Sequence, residues 1–187
     1  MRLIFIGPPG AGKGTQAEKI VSNYKLTHLS TGDMLRAAVS AKTEVGLLAE
    51  KYMSSGQFVP DTVIIDIMSE KLKSPDCQNG FLLDGFPRTL PQATALDEML
   101  QKNNTPLDVV LELKVPDDEL YRRLAERGRT DDAPEVIRNR LVVYAEQTTP
   151  LLQYYAKQSL LKTVDGQGSV DVIFERIKEI LDKLISS

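Results

Sequence analysis

The stretch Met1-Arg-Leu-Ile-Phe-Ile-Gly7-Pro-Pro-Gly10-Ala-Gly12-Lys13-Gly14-Thr15-Gln16 decides how the chain is read. A short apolar run, Leu3 to Ile6, is cut off by Gly7. Glycines then recur at 10, 12 and 14 around one lysine, and a helical pattern follows through Ala17, Ile20, Val21 and Tyr24. Strand, glycine loop and helix in that order form the context of a phosphate-binding loop. Glycines let successive backbone N–H groups converge on one point and let phosphate oxygens approach closely. The helix beginning there adds unsatisfied N–H groups and the positive end of its dipole, and Lys13 supplies a mobile point charge for the outer phosphates. The general pattern has Ser or Thr directly after the lysine to hold Mg²⁺, whereas here Gly14 stands in that place and Thr15 follows. The plainer alternative is a glycine-rich turn that only packs a helix on a strand. It leaves the placement of the lysine without a reason.

Outward from this loop, apolar runs alternate with helical patterns. Thr27 to Leu29, Phe81 to Asp84, Val109 to Leu113 and Leu160 to Val164 read as further strands, making five with the first. Ser30-Thr31-Gly32-Asp33 reads as a helix start with Ser30 as N-cap. Pro60 and Asp61 open another helix, as does Pro91. Pro116 to Arg127 and Val172 to Leu184 carry further helical patterns, and a helix from Ala133 bends or breaks before Pro150. Such alternation predicts an α/β fold, a parallel sheet with helices on both faces. Ligands of such sheets sit beyond the carboxyl ends of the strands. The Gly7–Thr15 loop, Asp84–Arg88 and the turn after Val164 therefore share one edge, where the site is expected.

Composition narrows the function. The chain has 187 residues, 42% of them hydrophobic, enough for one domain with an ample core. A net charge of −3 argues against general nucleic-acid or membrane-surface binding. Cys77 is the only cysteine, so neither a disulfide framework nor a Cys-rich zinc site is expected. No apolar run approaches a membrane span, and the first strand begins at residue 2, so a cytoplasmic protein without a leader is expected. His28, the only histidine, falls in a strand and reads as structural or surface. Cys77 reads as incidental, and Tyr154 and Tyr155 as packing residues.

Arginines stand at turns and helix starts: Arg36, Arg88, Arg123, Arg127, Arg129 and Arg140. Arginine is suited to planar, two-pronged phosphate recognition. A generic arginine lies on a solvated helix face, and Arg2, Arg122, Arg138 and Arg176 are read that way. Arg88 differs, because it follows a buried strand at the ligand edge and is pinned by Gly85 and Pro87.

Gly-Pro-Pro-Gly-Ala-Gly-Lys-Gly-Thr-Gln (7–16), Ser-Thr-Gly-Asp-Met-Leu-Arg (30–36) and Gly-Phe-Leu-Leu-Asp-Gly-Phe-Pro-Arg-Thr (80–89) together resemble the adenylate kinases, of the nucleoside monophosphate kinase family. The resemblance runs in order along the chain and includes Arg129-x-Asp-Asp and Val164-Asp-Gly. It implies a P-loop-containing three-layer sandwich around a five-stranded parallel sheet, and reversible transfer from ATP·Mg to AMP giving two ADP. It implies a core of 1–29, 60–126 and 134–187, an NMP-binding segment at 30–59 and a short lid at 127–133, with both segments closing over the substrates.

Carried over by position, Gly10, Ala11, Gly12, Lys13, Gly14 and Thr15 match the ATP phosphate loop, with Lys13 on the migrating group. Arg123 and Arg127 match the ATP-side arginines, and Gly168 the position whose carbonyl meets the ATP adenine. Thr31, Arg36, the backbone of Gln57, Phe58 and Val59, the stretch Gly85, Phe86, Pro87 and Arg88, and Gln92 match the AMP site. There Arg36 and Arg88 hold the phosphate and Gln92 reads the adenine edge. Arg129 and Arg140 match those spanning both phosphate groups. Asp84 matches the carboxylate that orients the water shell of Mg²⁺, which accounts for a glycine at position 14. No protein group binds the metal directly.

The chain departs from many relatives in its lid, which is too short for a zinc site, so no zinc is expected. Asp132 and Glu135 also admit the plain reading of an N-cap and its capping-box partner, and Asp131 reads equally as an anchor for a lid arginine or as solvated. The acceptor phosphate is already an anionic nucleophile, so neither a general base nor a covalent intermediate is required. Lys13, Arg88, Arg123, Arg129 and Arg140 are then the catalytic set. The nearest rival is a UMP/CMP kinase, in which Ala and Asn usually stand where this chain has Thr31 and Gln92. A nucleotide-sensing or ATP-hydrolysing switch is the rival of another class, and it leaves the second arginine set without a purpose. The family is mostly monomeric, and a monomer handling ATP, AMP and ADP alone is expected.

Overall fold

A computed structural model describes residues 1–128 and 133–186, apart from the Arg127 side chain. In chain order the elements are β1 (Arg2–Ile6), α1 (Lys13–Tyr24), β2 (Thr27–Ser30), α2 (Thr31–Ser40), α3 (Glu44–Met53) and α4 (Asp61–Leu72). After a 3₁₀ turn at Pro75–Asn79 come β3 (Phe81–Asp84), α5 (Leu90–Lys102), β4 (Val109–Lys114) and α6 (Asp117–Arg127). Then α7 (Pro134–Val143) runs through a π-helical turn, Tyr144–Thr148, into α8 (Thr149–Lys157), and β5 (Leu161–Asp165) and α9 (Val170–Ile185) close the chain.

The five strands form one sheet in the order β2-β3-β1-β4-β5, with every neighbouring pair parallel. The apolar runs of β1, β3 and β4 are buried on both faces, and period-two alternation divides each of them between two cores. Ile4, Leu83 and Val110 face one core with α4, α5 and α8, through Met68, Leu96 and Tyr155. Leu3, Leu82 and Leu111 face the other with α1 and α9, through Ile20, Ile177 and Leu181. This is the expected three-layer arrangement. Tyr155 is buried and meets Tyr154 edge-on at 5.1 Å, so both tyrosines pack. Cys77 is buried in the first core.

β1 lies at the switch point, with β3 on one side and β4 on the other. A loop leaving its carboxyl end therefore opens into the crevice where ligands of such sheets bind. Register brings the second stretch beside it, since Phe5 and Ser30 both pair with Asp84. Ser30 caps α2 as its sequence predicts, its Oγ accepting the Asp33 N–H at 3.3 Å. The break expected before Pro150 is the π-helical turn. The start of α7 corrects one expectation: Ala133 is its N-cap and makes no side-chain cap, while Asp132 lies outside the described residues.

Candidate active site

The loop after β1 is shaped by two glycines that adopt left-handed backbone, Gly10 at φ 85° and Gly12 at φ 94°. A Cβ on Gly10 would meet Leu124 Cγ at 2.8 Å. Gly14 is different, for its φ is ordinary and a Cβ there would touch nothing within 4 Å. Gly12 is the N-cap of α1, so the first helical N–H groups belong to the loop. Lys13 reaches back across the loop, its Nζ donating to Gly7 O at 2.7 Å and Pro8 O at 3.2 Å. Arg123 braces the same loop from α6. Its Nη1 donates to Ala11 O at 3.1 Å, its Nη2 to Gly166 O at 3.0 Å and its Nε to Glu119 at 2.6 Å. Arg122 stays on the exposed face with Glu119 and Glu126. Arg176 stays at the surface as read, its Nη1 donating to Asp165 O and Gln167 O in the turn after β5.

The second stretch is organised around Gly85, at φ 80°, followed by a cis Phe86–Pro87 bond. The Gly85 carbonyl accepts both Thr31 Oγ1 and Arg88 Nε at 2.8 Å. A Cβ at this position would lie 2.8 Å from Arg88 Nη2 and from Thr31 Oγ1, so only glycine permits the approach. The Arg88 guanidinium stacks 5.1 Å from the centre of the Phe58 ring, and its carbonyl accepts Thr148 Oγ1 from the π-helical turn. Arg36 lies over Gly32 and pairs with Asp33. Gln92 is 1% exposed, and its amide is engaged at both ends: Oε1 accepts the Arg88 N–H at 2.8 Å and Nε2 donates to Asp61 at 2.7 Å.

Two cavities open at this edge. The first has apolar walls from Leu35, Phe58, Val59, Ile64 and Tyr144, with Gln92 among its lining residues. The second is lined by Gly10, Gly12, Gly14, Thr15, Asp84 and Arg123. Lys13, Arg36, Arg88 and Arg140 line both, so four cationic side chains stand at the junction. Ala11, Phe86 and Gly168 line neither; Ala11 and Phe86 are buried, and Gly168 lies in the turn after β5 at φ 117°. Arg129 and the Arg127 side chain lie outside the described residues.

The charges are coupled. Burial, together with the neighbouring Arg140 and Arg36, pushes the Arg88 guanidinium down to about 10 despite Asp84. A cation so placed is disfavoured until an anion joins it. Burial pushes the Asp84 carboxyl up, but His28, Lys13 and Arg88 outweigh it and hold the group below its ordinary value. His28 therefore has a place at the site, its Nε2 3.6 Å from Asp84 Oδ2. An ionised carboxylate at the edge of a phosphate loop suits a hard, water-bearing cation such as Mg²⁺. No group of three His, Cys, Asp or Glu is gathered as metal ligands among the described residues.

Sequence reasoning missed four contributing residues. Asp61 was read as a helix start, Tyr144 and Thr148 as part of a broken helix, and His28 as structural or surface. Only the break before Pro150 hinted at any of them, since π-helical turns recur at functional sites.

Comparison with known proteins gives one picture. The sequence model of the family described as adenylate kinase matches residues 5–160. An adenylate kinase of Methanosarcina barkeri is 47% identical over 213 residues, covering 98% of this chain and 99% of its own. That alignment is longer than this chain, so the relative carries residues without a counterpart here. An adenylate kinase of Agrobacterium fabrum is 50% identical over 193 residues, covering 98% of each chain. One from Sinorhizobium medicae is 50% identical over 191 residues, covering 97% of this chain and all of its own.

Proposed function

The chain belongs to the adenylate kinase family, and from that premise we propose how its site moves a phosphoryl group between ATP and AMP. The second cavity receives the ATP phosphates on the loop Gly10–Thr15 and the N-terminus of α1. Arg123 and Arg127 attend the donor side, and Gly168 offers its carbonyl to the ATP adenine. The first cavity receives AMP. Arg36 and Arg88 hold its phosphate, while Thr31, the backbone of Gln57–Val59, Gly85–Pro87 and Gln92 surround its base and sugar. Segment 30–59 carries most of this acceptor wall, and 127–133 is the short lid on the donor side.

In the reaction an AMP phosphate oxygen attacks the γ-phosphorus, and the bond from that phosphorus to the bridging β-oxygen breaks. The electron pair leaves with the β-phosphate and two ADP result. The acceptor is already anionic, so this chain's residues need not move a proton. Their work is to align two phosphate groups and offset the charge between them. Lys13 follows the migrating group, and Arg88, Arg123, Arg129 and Arg140 surround it. Mg²⁺ carried in with ATP would offset part of the charge on the phosphates. Thr15 and Asp84 line the second cavity, and Asp84 would hold such an ion through water.

The observation that carries this reading is the junction itself, four cations shared by two adjoining cavities. A site for one nucleotide has no use for the second cavity. The chain is proposed to act in the cytoplasm as a monomer; no helix among the described residues is long and apolar enough to cross a membrane. The test is the reverse reaction. Supplied with ADP and Mg²⁺ alone, the enzyme should form ATP and AMP in equal amounts, and a chelator should stop it. Release of inorganic phosphate in place of ATP would contradict the proposal.

A further inference from the structure

Gln92 is a symmetric shape with an asymmetric chemistry. Its amide accepts at Oε1 and donates at Nε2, and nothing in the shape of the group decides which end points where. Its neighbours decide. Asp61 Oδ1, a carboxylate oxygen that can only accept, takes a hydrogen bond from Nε2 at 2.7 Å. The Arg88 N–H, which can only donate, is received by Oε1 at 2.8 Å. Thr89 closes the arrangement, for its Oγ1 donates to Asp61 Oδ1 at 3.0 Å and accepts the Gln92 N–H at 3.3 Å. Turning the amide over would set oxygen against carboxylate and N–H against N–H at a side chain 1% exposed, where water cannot repair either loss.

We propose that Asp61 is a positioning residue for base selection: it fixes the polarity of the Gln92 amide and so decides which hydrogen-bonding edge the acceptor base must present. The inference rests on Gln92 contacting the acceptor base, as proposed above. Each end of the amide keeps one further bond to give, a lone pair on Oε1 and a proton on Nε2. Those two match an edge that offers an amino donor beside a ring-nitrogen acceptor. Adenine has that edge, and so does cytosine. Guanine and uracil present the reverse, a carbonyl acceptor beside a ring N–H donor. The lock therefore rejects GMP and UMP by polarity, whereas CMP must be rejected by its shorter reach into the cavity. A site that leaves buried polar groups unpaired against the wrong ligand discriminates strongly.

The test is kcat/KM for AMP, GMP, UMP and CMP with wild type, Asp61→Asn, Asp61→Ala and Gln92→Ala. An Asn at 61 offers either an acceptor or a donor, so of the two constraints on the amide only the Arg88 N–H remains, and the preference for one orientation weakens. The expected result is a fall of about tenfold in the AMP:GMP and AMP:UMP ratios, carried mainly by KM, with the AMP:CMP ratio moving less than about twofold. In the Gln92→Ala background the Asp61 substitutions should shift no ratio further. A ratio of two kcat/KM values does not depend on how much of a variant is folded, so partial unfolding does not spoil the comparison. A role confined to structure would scale all four acceptors alike. If Gln92→Ala collapses the AMP preference while both Asp61 variants keep every ratio, the lock is overturned and the base contact stands. If Gln92→Ala leaves the preference for AMP intact, the base contact fails and the lock with it.

Discussion

At the scale of single residues, the site holds a cation under strain of charge. Arg88 is packed against Phe58 and Gly85, with Arg36 and Arg140 sharing its cavities. Its guanidinium is pushed down to about 10, so it is built for an anion that arrives from outside. Arg88→Ala is expected to lower kcat by about 10²–10³-fold while leaving the denaturant midpoint unchanged or slightly raised. Steady-state kinetics beside equilibrium unfolding checks this, and a large fall in midpoint would assign the residue to the fold. The glycines of the loop divide in the same way. Gly10→Ala forces a left-handed backbone and a contact 2.8 Å from Leu124, an expected loss of about 1–3 kcal/mol. Gly14→Ala meets open space on a helix and should hold or gain about 0.5–1 kcal/mol. Urea unfolding of the pair decides whether the backbone or the ligand explains each glycine.

At the scale of elements, α2 and α3 pack so closely that a Cβ on Gly46 would lie 2.0 Å from Ala38 O. Gly46→Ala must push the two helices apart, at a cost of about 1–3 kcal/mol, and, on the proposed assignment of segment 30–59 to the acceptor, should raise KM for AMP more than for ATP. Equal effects on both KM values would mean that the segment does not serve one substrate. Much of this level was legible in the sequence. β1 and β3 were apolar runs closed by Gly7 and Asp84, and Ser30 announced the start of α2, because those signals act over a few residues. What was not legible spans the fold. Gln92 meets Asp61 across 31 residues, and Arg123 reaches the loop across 112. The break before Pro150 was visible, but not that its turn places Tyr144 and Thr148 at the cavity wall.

At the scale of the molecule, sheet order explains the site. β1 lies between β3 and β4, so its loop opens into a crevice that the end of β3 also borders, through Asp84 and Gly85. Two sets of cationic side chains meet there, and among the described residues no three His, Cys, Asp or Glu gather as metal ligands. Asp84 ties this site to acid stability. Its folded value lies below the ordinary 3.8, so its contribution is complete above that pH and is lost as pH falls through the lower folded value. The stability difference between wild type and Asp84→Asn should therefore shrink between pH 6 and pH 3, read from urea midpoints. A difference that does not change would remove Asp84 from the charge network. The central claim is that two cavities, one for a donor and one for an adenine-bearing acceptor, share a cationic junction. It is tested most directly by measuring ADP formation from ATP·Mg²⁺ with AMP, CMP, UMP and GMP offered in turn, and with no acceptor as control. The account predicts rapid turnover with AMP, little with the other three, and almost no loss of ATP in the control. Consumption of ATP at the same rate whether or not an acceptor is present would contradict it.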